Sequence, residues 1–566
     1  MRACTFSIST CLAASALAQP HDRGERPGDA PGTPATMLGD PGILWPRSFP
    51  PTHQANVGAG QLNIIGDAAN EPSIAVDPSN GLRIVVGWRQ FDTVSSNFRQ
   101  AGYAWSVDGG RTFTKGTHNP GVFRSDPVLR WGPDGTVHYY SLTTITGRYT
   151  CDMFRSTNGG QTWLPPVFAA GGDKNWFTIG MNAGAGQGNI YAHWTSYYTC
   201  CDGFSFARSR DAGATYPDLT HAPFLPFWGT SSVGPDGELY ICGNNGFDQF
   251  SVSRSSDAKL NLGTITFPVA VNGIVMAQGQ SGFDPNSPNP AGILGQAWID
   301  VDRSSGPRRG WVYMLSSVGY VGSDPLDVMM VRSTDGGQTW SAAFKVNDEA
   351  PGANAWQWFG TLGVSPNGRL DVIYNDTQGT SDFHHSVTKY KSSSDGGFTW
   401  TPSTAIGPVW DSWIGWPNQN KIGDYYDIAS DKLGCYLVYS ATYNGEEDVY
   451  VARIGPYDCN NNGVDDATDI ANHTSRDCNA NAIPDECEIA AGTLADSNHD
   501  GIADVCPPCP ADFNADGSVD FFDYDAFVSC FEGIVCPPGK TADFDADGAI
   551  DFFDYDAFVV AFETPC

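Results

Sequence analysis

The chain has 566 residues, 63 of them acidic and 31 basic, for a formal net charge of −32, yet only 17% of its residues are charged. That length suggests more than one domain, and a composition this polar and this aromatic (12% Phe, Trp and Tyr) excludes both a membrane bundle and a disordered chain. The acidity is confined: residues 457–566 hold 24 acidic and two basic side chains, −22 of the total, and argue against nucleic acid, which needs basic surface to neutralise its phosphates.

The chain opens with "MRACTFSISTCLAASALAQP", where one Arg, a short apolar run and a small-residue "ALA" before Gln19 read as a secretory signal over 1–18. This predicts export, to the extracellular space or the cell surface. No later stretch has the roughly 18 uninterrupted apolar residues of a membrane span, so the protein is not expected to cross a membrane. Thirteen cysteines lie beyond the signal, and an oxidising compartment would pair most of them. Residues 19–60 are rich in Pro and Gly without periodicity and read as a linker.

From 61 to 456 an eight-residue phrase recurs: "SVDGGRTF" at 106, "STNGGQTW" at 156, "SRDAGATY" at 209, "STDGGQTW" at 333 and "SSDGGFTW" at 393, with a degraded copy around Asp257. The spacing is that of a repeat architecture. β-rich runs such as "NIYAHWTSYY" and turns such as "GPDG" surround each copy, giving units of four strands. Seven units can be counted, the last without the phrase, which predicts a mainly β, six- or seven-bladed propeller, seven preferred. The phrase itself reads as a turn. Its Asp accepts backbone N–H groups, its glycines allow positive φ, and its aromatic residue packs between strands. Asn158 replaces the Asp once; an amide keeps the acceptor and cannot serve as an acid or base, so the phrase is structural.

The pattern S-x-D-G-G-x-T-W resembles the Asp box, or BNR repeat, of sialidases and related propellers. The resemblance implies that the phrases lie on the face opposite the functional one. It also implies an arginine triad, a Tyr–Glu nucleophile pair and an Asp acid/base, but the Phe/Tyr-Arg-Ile-Pro motif of the first arginine is absent; Arg47 in "WPRSFP" lacks the Ile-Pro. Strand starts and loops on the functional face supply the candidates. Those with a catalytic role are Glu71, Asp92, Asp126, Asp173, Asp424 and Tyr425; those for binding substrate are Arg89, Arg148, Lys174, Trp194, Asp376 and His384, with Tyr198 and His385 nearby. Glycoside cleavage needs paired carboxylates, and glycan binding needs aromatic platforms with polar groups. Two readings therefore stand: a propeller that binds and hydrolyses glycans or polysaccharides, and a non-catalytic surface or adhesion module for protein or glycan. Cys151, Cys200, Cys201 and Cys242 are expected to form two inter-blade disulfides, with a vicinal Cys200–Cys201 bond as the alternative and Cys435 unpaired or buried.

The tail carries "DFNADGSVDFFDY" and "DFDADGAIDFFDY", each with the spacing of an EF-hand calcium loop. The predicted Ca2+ ligands are Asp512, Asn514, Asp516, the Ser518 carbonyl, Asp520 and Asp523, then Asp543, Asp545, Asp547, the Ala549 carbonyl, Asp551 and Asp554. Residues 509–566 resemble a dockerin, which implies a cohesin-like or cell-envelope partner, although Phe521, Phe522, Phe552 and Phe553 stand where dockerins often carry small hydroxyl residues. These phenylalanines are expected in the core. Three segments in 457–508 repeat every 19 residues and resemble thrombospondin type 3 calcium repeats. Their expected ligands are Asp458, Asn460, Asn462 and Asp466; Asp477, Asn479, Asn481 and Asp485; and Asp496, Asn498, Asp500 and Asp504. The expected disulfides are Cys459–Cys478 and Cys487–Cys506, with Cys509, Cys530, Cys536 and Cys566 stapling the last module.

Overall fold

A computed structural model describes residues 30–39, 48–195, 199–201, 203–244, 249–276, 284–319, 324–349, 353–499, 501–506, 509–516 and 519–563. The expectations for the signal segment, Arg47, Tyr198, Asp500, Ser518 and Cys566 lie outside these residues. The chain forms two compact units, residues 1–78 with 83–456 and residues 457–566 with Ser79–Leu82.

The first unit is a seven-bladed β-propeller. Its inner strands are Ala68–Asp77, Ser125–Trp131, Trp176–Ile179, Ser231–Val233, Trp298–Val301, Gln357–Val364 and Asp427–Ser430, opening blades I to VII. In each of blades I to VI, three further strands follow outward in sequence order, all antiparallel; in blade I they are Asn80–Phe91, Gln100–Ser106 and Thr114–His118. Blade VII closes differently. Its outermost strand is Thr52–Gln54, paired with Asp448–Ile454 in the register Thr52↔Ala452. The propeller therefore reaches back into the segment read as linker. The second strands of blades I and VII are buried on both faces along most of their length, so their sequences run apolar ("IVVGW", "YLVYS") with little alternation.

The repeated phrase joins the third and fourth strands of a blade. In blade I, Ser106 Oγ donates to Asp108 Oδ1 (2.7 Å), the Gly110 N–H donates to Ser106 Oγ (2.9 Å), and Thr112 donates to Asp108 through both its N–H (3.0 Å) and its hydroxyl (2.6 Å). Asn158 reproduces this in blade II: its Oδ1 accepts from the Thr162 N–H at 3.0 Å, and its Nδ2 donates to Thr162 Oγ1 at 2.9 Å. The degraded copy keeps the same plan across a longer loop, with the Thr266 N–H on Asp257 Oδ1 at 2.9 Å. Blade VII lacks the phrase because its outer strand arrives from the other end of the propeller chain.

The second unit is loop-rich and, among the described residues, has four helices: α1 (Asp466–Ala471), α2 (Asp485–Ala491), α3 (Phe521–Phe531) and α4 (Phe552–Glu563). Phe527 and Phe558 stack at 4.0 Å, with Phe513 against both. The buried positions of α3 are Asp523, Phe527 and Cys530, one face of a helix. That spacing leaves Phe521 and Phe522 outside at 69% and 67% exposed, and α4 does the same with Phe552 and Phe553, so these four are surface residues and not core.

The disulfides also differ from expectation. Between described residues they are Cys459–Cys487, Cys478–Cys506 and Cys530–Cys536. The second residue of one 19-residue repeat meets the eleventh of the next, a ladder that pairing by nearest neighbour misses. Cys151, Cys200, Cys201, Cys242 and Cys435 are free thiols, so no inter-blade or vicinal bond forms. Among the described residues, no helix is long and apolar enough to cross a membrane.

Candidate functional site

Six of the predicted propeller residues come together where the inner strands of blades I, II, III and VII begin. Glu71, Asp126 and Lys174 hold positive φ (51°, 45° and 53°), a conformation that non-glycine residues adopt only when their surroundings impose it. The imposing bonds are visible. Arg89 Nε lies 3.2 Å from Glu71 Oε2 and donates to Asn70 Oδ1 at 2.7 Å. Lys421 Nζ bridges Glu71 Oε1 (3.4 Å) and Asp424 Oδ2 (2.6 Å). Lys174 Nζ also binds Asp424, lies 4.0 Å from Asp126, and its N–H donates to Asp126 Oδ2 at 3.0 Å. Lys421 is the member of this network that sequence reading missed; its only signal is its place three residues before Asp424.

These carboxylates share cations and so stand close enough for paired-carboxylate chemistry, but they are sealed. Glu71 and Asp126 are 0% exposed, Asp424 1%, Lys421 2% and Lys174 6%. The cover comes from the connection between blades IV and V: Asn289 Nδ2 donates to the Gly423 carbonyl (2.9 Å), Asn289 Oδ1 accepts from Ile422 N (2.8 Å), and Ile293 N donates to Asp424 Oδ1 (2.9 Å). Gly423, which the strap grips just before blade VII, has φ 87°, and a Cβ there would stand 2.9 Å from the Glu71 nitrogen, so glycine lets this segment lie against Glu71. Burial pushes Glu71 up to about 8 against the opposing pull of Arg89, Lys421 and Lys174. Burial, with the Glu71 and Asp126 carboxylates beside it, also raises the Tyr425 phenol well above its ordinary value; its hydroxyl donates to the Pro127 carbonyl at 2.9 Å. A phenol held in this way is a poor nucleophile.

The remaining candidates disperse. Asp92 accepts from Gln100 away from the network. Asp173 is half-buried at its edge. Trp194 is 0% exposed within the core and offers no platform for a sugar. Arg148 is exposed beside Cys200, Cys201 and Phe204. Asp376 is buried, paired with Lys389 Nζ at 2.7 Å.

His384 leads elsewhere. Its ring lies flat on Trp413 at 4.1 Å and 14°, and Phe383 and Trp416 pack edge-on or tilted against the same indole at 5.7 Å. All four are half-buried, Ile414 beside them is 40% exposed, and Trp413 Nε1 is anchored on the Ser287 carbonyl at 3.1 Å. Next to this cluster a cleft of about 420 Å³ is lined by residues 353–356 and 377–383, Trp356 and Asp382 among them. His385 pairs with Asp382 at 2.8 Å, and among the described residues neither histidine joins a metal-ligating group of three. At the other end of the central channel, on the face of the repeated turns, a cavity of about 260 Å³ is lined by Trp176, Trp298, Arg130 and Arg303, whose guanidinium groups bind Asp427 (2.8 Å) and Asp300 (2.6 Å).

In the tail, one oxygen from each of Asp512, Asp516 and Asp523 lies within 4.8 Å of the others, and the same holds for Asp543, Asp545 and Asp554. Gly548, at φ 91°, turns the second loop so that its N–H reaches Asp543 Oδ2 at 3.0 Å. The Asp543 Oδ1 atom is buried without a partner. Hard, converging carboxylate oxygens fit Ca2+. Of the other expected ligands, Asn514 and Asp520 accept from Asp516 N and Phe522 N in the first loop, Asp547 accepts from Ala549 N in the second, and Asp551 from Phe553 N. In the 19-residue repeats Asp458, Asn460, Asn462, Asp477, Asn479 and Asn481 accept the N–H groups of their own loops, while Asp466 and Asp485 accept from Cys459 and Cys478. Asp496 accepts from Gly501 N and Asp504 from Ser497, with Asn498 exposed between them. Two residues were missed. Asp469 and Glu488 stand at the twelfth position of these loops and accept from Asn462 Nδ2 and from Asn479 and Asn481, each at 2.9 Å. Counting twelve from Asp458 and Asp477 would have found both.

No family model matches the chain, and no curated protein does. Among solved structures the chain is similar to a protein of unknown function from Dyadobacter fermentans (14% identity, 71% of this chain and 97% of that one, TM-score 0.40). It is also similar to phage phi92 endosialidase (8%, 72% and 70%, TM-score 0.41) and to Trypanosoma rangeli sialidase (11%, 75% and 60%, TM-score 0.34). Likeness of this degree carries no inference about activity.

Proposed function

We propose that the chain is an exported, calcium-binding modular protein whose Asp-box propeller binds glycan or polysaccharide without cleaving it. The observation that carries this reading is the contrast on one face: the paired carboxylates are sealed and neutralised by Arg89, Lys174 and Lys421, while the aromatic cluster around Trp413 is half-open beside a polar cleft. Flat apolar rings flanked by Asp382, Thr380 and Gln378 suit the C–H faces and hydroxyls of sugar rings. Calcium would be held by the two twelve-residue loops of the dockerin-like module and by the thrombospondin type 3-like repeats, where binding energy becomes folding energy. The exposed phenylalanines of α3 and α4 would dock a cohesin-like or cell-envelope protein.

A glycan array probed with the full chain, followed by a panel of chromogenic glycosides, tests the reading. Retention of a glycan with no turnover is expected, and Trp413→Ala should weaken that retention roughly tenfold, about 1.4 kcal/mol, with little change in melting temperature. Turnover abolished by Asp424→Asn would replace this reading with a hydrolase.

A further inference from the structure

One charged cluster belongs to neither the sealed network nor the tail. Asp324 precedes the third strand of blade V, Asp327 opens it (Asp327–Ser333), and Glu349 follows the outer strand (Phe344–Lys345). Each gives one carboxylate oxygen to a group whose members lie within 4.8 Å of one another. The cluster is enclosed: the Asp327 and Glu349 side chains are 0% exposed and Asp324 10%. A single ammonium, Lys345 Nζ, faces all three, at 2.8 Å from Asp327 Oδ1, 2.9 Å from Glu349 Oε1 and 3.9 Å from Asp324 Oδ2.

Two buried oxygens are left over. Asp327 Oδ1 accepts from Lys345 and from Asn347 Nδ2 (2.9 Å), but Asp327 Oδ2 has no partner, and neither has Asp324 Oδ1. A buried carboxylate oxygen without a donor is costly to keep, and carboxyl groups crowded onto one ammonium repel one another as they ionise where little water screens them. Glu349 is oriented from behind by Gln357 Nε2 at 3.0 Å, which also holds Asp376 at 3.0 Å. Such outer support is what cation ligands carry.

We propose that Asp324, Asp327 and Glu349 form a divalent-cation site in the propeller, of the all-oxygen class that takes Ca2+. Oxygens bound at the roughly 2.3–2.6 Å of calcium sites stand up to about 5 Å apart across the ion, which the 4.8 Å limit on this group accommodates. Lys345, 33% exposed on a flexible stem, holds the place and swings outward when the cation enters. Leu326, between the two aspartates, bridges to Trp356 at the cleft, so the cation would stiffen the wall of the aromatic groove.

Hydrogen exchange of the full chain, titrated with CaCl2, tests this separately from the tail. In wild type, peptides from 324–349 should slow with calcium. Asp327→Asn should abolish that response while tail peptides still respond and other blades stay protected, which shows that the variant folds. Lys345→Gln should shift the response of 324–349 to about tenfold lower calcium, because it removes a competing charge. A cluster that is only an internal salt bridge gives the opposite result: no calcium response at 324–349 in any variant, and a Lys345→Gln protein that calcium does not protect. That result overturns the proposal.

Discussion

In the propeller, Glu71, Asp126 and Asp424 are buried and met by Arg89, Lys174 and Lys421, which arrive from three different blades. In the tail, two triads of aspartates converge inside a unit with 24 acidic and two basic residues. The side chains are the same, but one set meets basic side chains within the fold and the other converges with few of them nearby. The first arrangement gives rigidity at the price of accessibility, since a carboxylate locked between two ammonium groups under a strap has no route to substrate. The second, on the proposed calcium reading, makes the folded state depend on a cation. Carboxylates alone therefore say little about chemistry; the placement of the countercharges decides.

The sharpest way to break the comparison is to remove a countercharge. Lys421→Met should destabilise the propeller by about 3–5 kcal/mol, the usual result of leaving a buried charge unpaired. Chemical denaturation followed by Trp fluorescence reads it; a loss below about 1 kcal/mol would mean that the network is wet. Asp512→Ala with Asp543→Ala should leave that transition where it is.

A second test uses pH. Burial, with Asp67 beside it, pushes Asp448 up to about 8, although the Asn56 and Asn444 amides donate to it. The folded state thus keeps a proton that the unfolded chain releases near pH 4, so this contribution is full below pH 4 and is lost as pH rises to about 8. Melting temperature should fall over that window, and Asp448→Asn, which keeps an acceptor and no charge, should flatten the slope. An unchanged slope would assign it to other groups. The smallest effect is expected at the repeated turn: Asn158→Asp should change stability by no more than about 0.5 kcal/mol, while Asn158→Ala should lose about 1 kcal/mol, measured by the same denaturation.

Much of this architecture can be read in the sequence because a turn that uses one side chain to hold four backbone and hydroxyl groups needs a fixed phrase, and the phrase recurs. Asn158 already separates structure from chemistry, since only the acceptor is required. Other features leave no such mark. Thr52–Gln54 is a three-residue strand with no periodicity, so the closure of blade VII is invisible. Glu71, Asp126, Lys174 and Asp424 can be grouped from strand starts, but their burial depends on Asn289 and Ile293, two unremarkable residues 134 and 131 positions before the Gly423 and Asp424 they bond. Trp194 and Phe521 show the same limit in opposite senses: aromatic type does not say which side of a loop or helix faces solvent.

The central contrast is that the Glu71, Asp126 and Asp424 carboxylates carry their countercharges within the fold, whereas the converging aspartates of the tail do not. Hydrogen exchange of the full chain in calcium and in chelator measures this directly. Chelator should remove protection from the loops around Asp458, Asp477, Asp512 and Asp543 and from α3 and α4, and leave the inner strands of blades I, II, III and VII unchanged. Equal protection of the tail in both conditions, or loss at Glu71 and Asp126 alongside it, would contradict the account.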